Sequence, residues 1–138
     1  MKAPEGLSVL ITGGGSGIGA ETAVYLAEHG AKVTITGRRE EALAKVAEAI
    51  GPACCTVAGD VAVAADRARM MDAAIAHGGG LDGLVNNAAN MVRGPISELD
   101  EEAVREVFNT NVVAGMMLTG LAAPRLEERS GAVIFLGS

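Results

Sequence analysis

Thr12-Gly13-Gly14-Gly15-Ser16-Gly17-Ile18-Gly19 stands between a short apolar run, Leu7 to Thr12, and a set of residues at helical spacing, Ile18, Thr22, Tyr25 and Leu26. A strand-to-helix turn this rich in glycine has two physical properties. Backbone without Cβ atoms can approach an anion closely, and the start of the helix offers unpaired N–H groups at the positive end of its dipole. The spacing is T-G-x-x-x-G-x-G. It is not the G-x-G-x-x-G fingerprint, because Ile18 falls where the last glycine would be. Nor is it a P-loop, because no Lys-Ser/Thr follows Gly19. A plain glycine-rich turn is the alternative, and the flanking strand and helix favour phosphate binding over it.

Outward from this loop, short apolar runs alternate with helical patterns. Strands are expected at Leu7 to Thr12, Ala31 to Thr36, Ala53 to Ala58, Leu81 to Asn87 and about Val133 to Leu136. Between them Leu43, Val46, Ala47 and Ile50 form one helical stripe, and Met70, Met71, Ala74 and Ile75 mark another. A long helical stretch runs from about Glu101 to Glu128 with a break in it. The acids between Glu98 and Glu106 read as a solvated helix start. This regular β-α alternation, with strands apolar on both faces, predicts an α/β fold: a doubly wound parallel sheet in the order 3-2-1-4-5. In such sheets ligands bind beyond the carboxyl ends of the strands. Here those ends carry Thr12-Gly13, Gly37-Arg38, Asp60, Asn86-Asn87 and Ser138, a polar or glycine ending on every strand.

The 138 residues are 49% hydrophobic and 20% charged, which suits one packed core rather than a disordered chain. A net charge of −6 argues against a nucleic-acid partner, which needs clustered Lys and Arg. No apolar run approaches the ~20 residues of a membrane span. Cys54 and Cys55 are adjacent, poorly placed for an ordinary disulfide and without companions for a metal site. They read as small buried hydrophobes in a reducing cytoplasm, and no metal is expected. His29 and His77 each precede a glycine at a helix end, where they would bond the last carbonyls. Tyr25, the only tyrosine, falls on the stripe of its helix expected to face the sheet.

The glycine loop, together with Asn86-Asn87-Ala88-Ala89, resembles the short-chain dehydrogenase/reductase family, whose motifs there are T-G-x-x-x-G-x-G and N-N-A-G. Ala89 departs from that second motif, which usually has Gly. Asp60-Val61 is similar to the family's adenine-contacting Asp after the third strand. Asn111, in Thr110-Asn111-Val112, matches the Asn of its catalytic tetrad, and Ser138 falls where its catalytic Ser sits. The resemblance covers the chain from residue 6 onward. It implies a Rossmann fold and NAD(P)-dependent hydride transfer with a small carbonyl or alcohol substrate. It implies cofactor contacts from Gly13, Ser16, Gly17, Ile18, Gly19, Arg38, Asp60, Val61, Asn86 and Ala88. Ser138 and Asn111 are the implied catalytic residues, and the full-length form is expected to be a homo-oligomer.

Asn111 also stands out by itself, since Val104, Val107, Phe108, Asn111, Gly115 and Leu118 share one helical face. A polar side chain on a buried stripe must find partners. One reading is a structural bridge to nearby backbone. The resemblance implies a second role, in which the Asn111 carbonyl holds a water in a proton relay, and a local kink would expose it. Position 37 is Gly where an acid would bind the ribose of NAD. Arg38 and Arg39 can instead pair with a 2′-phosphate, which favours NADP(H) over NAD(H); the other reading is a pair of solvated helix-start residues.

The resemblance places a Tyr-x-x-x-Lys pair about a dozen residues beyond Ser138, and no such pair occurs here, since His29 follows Tyr25 by four. Residues 1–138 are therefore expected to be a single NAD(P)-binding domain, incomplete at its C-terminal end and truncated before strands six and seven. By itself it is expected to be inactive. The alternative is a non-catalytic dinucleotide-binding module.

Overall fold

The computed structural model describes residues 3–137. Ser138 lies outside the described residues. Five parallel strands form one sheet: β1 (Ser8–Thr12), β2 (Lys32–Gly37), β3 (Cys54–Ala58), β4 (Gly83–Asn86) and β5 (Ala132–Phe135). Their order is β3-β2-β1-β4-β5, as the alternation predicts. The helices are α1 (Gly17–Glu28), α2 (Glu40–Ile50), α3 (Ala64–Gly78), α4 (Glu101–Phe108) and α5 (Ala114–Glu128). One short 3₁₀ turn, Ile96–Glu98, has no counterpart in the sequence reading. Asp100 caps α4 by accepting the Ala103 N–H at 3.0 Å, so the acidic run does begin a helix.

Period-two alternation divides the strand residues between two cores. Leu10, Val57 and Leu84 pack with Met70 and Ala74 of α3 and with Leu118, Ala122 and Leu126 of α5. Val9, Ile11, Val33, Ile35 and Val85 pack on the other face with Ala23 of α1 and Leu43 of α2. Every residue of β1 is buried, as befits the central strand.

The sheet-facing side of α1 differs from expectation. Its buried residues are Gly19 and Ala23, whereas Tyr25 is 58% and Ile18 62% exposed. Small residues let the helix axis lie close to the sheet with Ile18 and Tyr25 turned outward, while Leu26, also of the expected stripe, does pack against this core. Tyr25 stacks instead on His29, ring centroids 4.3 Å apart. His29 Nδ1 meets Tyr25 O at 2.7 Å and so does engage a last-turn carbonyl. His77 does not: its Nε2 meets Ala53 O, before β3, at 2.9 Å, and α3 runs on until Gly79 closes it in the left-handed conformation. Cys54 and Cys55 are free and only half-buried.

The break in the long helix is a π-helical turn, Asn109–Val113, in which the Ala114 N–H reaches back to Asn109 O. It also overturns the expected buried stripe. α4 buries no residue, Phe108 is 61% exposed and Asn111 is exposed. An inserted residue advances the helical phase, so residues before the turn do not share the face of Leu118, which is fully buried.

Candidate active site

Two adjoining clefts lie across the carboxyl ends of the strands. The first, about 450 Å³, is bounded by the glycine loop, the β2 end and the turn after β3. The second, about 370 Å³, is bounded by the β4 end, the π-helical turn and the residues after β5. Val61, Ala88, Ala89 and Thr110 line both, so the two form one trough.

The glycine loop gives the first cleft a floor of bare backbone. Gly13 has φ +66, and a Cβ there would come within 2.9 Å of Asn87 Nδ2 and 3.0 Å of Ala88 Cα. A Cβ on Gly19 would collide with Gly13 O. The loop is therefore compressed against the β4 end by the absence of side chains. Gly17 opens α1 at φ +53. Ser16 precedes it with no side-chain hydrogen bond to the helix. Its hydroxyl and the first N–H groups of α1 are thus free to meet an anion.

Thr12 ties this loop to β4. Its Oγ1 accepts the Asn87 N–H at 3.0 Å and the Ala88 N–H at 2.9 Å and lies 3.4 Å from Val85 O, to which it donates. Asn87 Nδ2 donates to Thr12 O at 3.0 Å and Gly13 O at 3.2 Å. Asn86 points the other way, donating to Thr119 Oγ1 at 3.2 Å. At the far end of the trough, Asn111 and Asn90 form a reciprocal pair. Asn90 N donates to Asn111 Oδ1 at 2.6 Å, and Asn111 Nδ2 donates to Asn90 O at 2.9 Å. The Asn111 side chain therefore bridges to backbone, and Asn111 lies within the π-helical turn.

Gly13, Ser16, Arg38, Asp60, Val61 and Ala88 all line the first cleft. Ile18, Asn86 and Asn111 line the second. Gly17 and Gly19 shape the loop beneath rather than line it. Gly137, next to Ser138, lines the second cleft. Arg38 and Arg39 stand at the rim, exposed and without an ion-pair partner among the described residues. Asp60 Oδ1 accepts the Ala62 N–H at 2.9 Å, and its other oxygen has no partner among the described residues. Among the described residues no cluster of His, Cys, Asp or Glu is suited to a metal ion. Among the described residues no helix is long and apolar enough to cross a membrane.

A family model described as short chain dehydrogenase matches residues 8–138. The chain belongs to the short-chain dehydrogenase family. An uncharacterized oxidoreductase of Thermotoga maritima is 38% identical over 133 residues, which are 94% of this chain and 52% of that protein. Among solved structures, a short-chain dehydrogenase/reductase of unknown function from Caenorhabditis elegans, determined with cofactor, superposes with a TM-score of 0.91 at 26% identity, over 97% of this chain and 53% of that one. A 3-ketoacyl-(acyl-carrier-protein) reductase from Brucella melitensis complexed with NADH superposes with a TM-score of 0.87 at 32% identity, over 92% and 53%. The chain spans about half the length of the curated relatives it matches.

In this short-chain dehydrogenase chain the features missed by sequence reasoning are the contacts that hold the site together. Thr12 reads as the strand end that opens the glycine motif, but its hydrogen-bond partners are more than 70 positions away and leave no local signal. Asp66 reads as an ordinary first-turn acid of a helix. The one available signal for Asn87 was its place in a named motif.

Proposed function

We propose that this chain forms the dinucleotide-binding portion of an NAD(P)-dependent oxidoreductase that transfers hydride between nicotinamide and a carbonyl or alcohol substrate. One observation carries the reading: a single trough over the strand ends has a glycine-floored cleft at one end and the Asn111–Asn90 pair at the other. The residues fit the cofactor, because the crowding at Gly13 and Gly19 leaves backbone rather than side chain facing a diphosphate. Ser16 and the first turn of α1 would hold that diphosphate. Asp60 and Val61 would meet the base, and Asn86 and Ala88 would line the passage between the two ends.

The bound cofactor supplies or accepts the hydride. Asn111 orients the loop after β4 through its side chain, and its backbone carbonyl would hold a water for proton relay. Ser138 would hold the substrate oxygen. No Tyr-x-x-x-Lys pair is present in these residues, so the chain by itself is proposed to bind cofactor without turnover. A non-catalytic dinucleotide-binding module is the second reading. The reading frame downstream of codon 138 separates the two: Tyr-x-x-x-Lys supports the enzyme, and a stop codon supports the module.

NADP(H) is the proposed cofactor form. Gly37 offers no carboxylate to a ribose 2′-hydroxyl, and the unpaired Arg38 and Arg39 suit a 2′-phosphate. A homo-oligomer is also part of the proposal, supported by the exposed Met116 and Met117. So is a cytoplasmic setting, supported by the free thiols of Cys54 and Cys55. Parallel titrations with NADPH and NADH test the proposal. Tighter NADPH binding is expected. Tighter NADH binding overturns the preference, and binding of neither overturns the dinucleotide reading.

A further inference from the structure

The turn that brings Gly59, Asp60 and Val61 to the first cleft has its shape fixed from outside that cleft. Asp66, in the first turn of α3, accepts the Asp60 backbone N–H on Oδ2 at 2.8 Å. Its other oxygen takes Arg69 at 2.8 Å, and Arg69 also donates to Ala58 O at 3.0 Å. Arg67 closes the far side by donating to Val61 O at 2.8 Å. Three side chains of one helix thus grip both ends of the turn, and none of them lines either cleft. Gly59 makes the close approach possible, since a Cβ there would already lie 3.1 Å from the Asp66 carboxylate.

The chemistry of Asp66 suits this task better than helix capping. The α3 N-cap position is Val63, which offers no side-chain acceptor, and the Asp66 oxygens go to the turn and to Arg69 instead. The Asp60 N–H first, and Arg69 second, hold its carboxyl below the ordinary value, so it stays ionised and accepting through neutral pH.

We propose that Asp66 is a positioning residue of the nucleotide site, holding the 59–61 turn so that Asp60 and Val61 meet the base end of a bound dinucleotide. This rests on the dinucleotide-binding reading given above. Asp66 does not touch the ligand. It acts through the Asp60 N–H, with Arg69 and Arg67 as its supports.

The test uses the full chain with ADP and nicotinamide mononucleotide as separate probes. Asp66→Ala is expected to weaken ADP binding about tenfold and to leave nicotinamide mononucleotide binding within about twofold. Arg69→Ala, which keeps the Asp66 acceptor, is expected to weaken ADP binding about threefold. A second readout needs no ligand: the Asp60 amide should exchange hydrogen at least about tenfold faster in Asp66→Ala, with β1 amides unchanged. Unaltered ADP affinity in both variants overturns the proposal, as does an equal loss for both probes. If Asp66→Ala fails to fold, Arg69→Ala decides by the same criteria. A wild-type chain that binds no ADP overturns the dinucleotide reading itself, and the proposal with it. Binding by the wild type with no change in the variants overturns the proposal alone.

Discussion

Thr12 shows how much one hydroxyl can organise. Two backbone N–H groups of the β4 end converge on its Oγ1, and both would be left unpaired by an isosteric methyl. Thr12→Val is expected to cost about 2 kcal/mol, read as a lower urea midpoint at an unchanged slope. Cys54 gives a second residue-level expectation. Burial, with Cys55 beside it, raises its thiol from the ordinary 9.0 to about 11. A raised pKa means that the folded chain keeps its proton where the unfolded chain loses it. The Cys54 contribution to stability is therefore present below pH 9 and is lost as pH rises from 9 towards 11. Cys54→Ala should flatten that alkaline decline, measured by urea unfolding at a series of pH values. The sequence exposes residues whose chemistry is local, such as Gly13 and Ser16 in the phosphate-type loop. It hides the contacts of Thr12 to the β4 end, and it hides Asp66, because a first-turn acid is ordinary where it stands. Only the assembled sheet reveals their partners.

At the scale of elements, α1 and the π-helical turn teach the same point about phase. Counting apolar residues along α1 selects Ile18, Thr22, Tyr25 and Leu26 as the inner stripe. The packed helix keeps Leu26 against the core but buries Gly19 and Ala23 most deeply, and these carry too little side chain to weigh in such a count. Tyr25→Ala is accordingly expected to change stability by no more than about 0.5 kcal/mol, although it removes the only tyrosine, and thermal or urea unfolding measures it. The sequence does suggest a break somewhere between about Glu101 and Glu128, which the structure places at Asn109–Val113. Its type was not legible, because a single inserted residue leaves no compositional mark. That residue is what turns Asn111 from an expected buried position to the Asn90 backbone it bridges.

For the molecule as a whole, the strand order was legible because crossover helices between parallel strands leave few topologies. Strand ends moved by only a residue or two. Less legible was how much apolar surface the α4–α5 side and β5 would present: Phe108, Met116, Ile134 and Phe135 are each more than half exposed. A chain of these 138 residues is expected to self-associate at concentrations on the order of ten micromolar. Sedimentation velocity should show species larger than a monomer, shifted towards monomer in a Phe108→Ser, Met116→Ser variant.

The central place of β1 also sets a schedule for folding. Its register with β2, Val9 opposite Val33, can form early in synthesis, but its other neighbour places Gly83 opposite Val9. Until the ribosome has released residues 83–86, one side of the most buried strand has no hydrogen-bonding partner. The nascent chain must hold an adhesive apolar ribbon in waiting, and the interval before β4 emerges is when a chaperone has the most to protect.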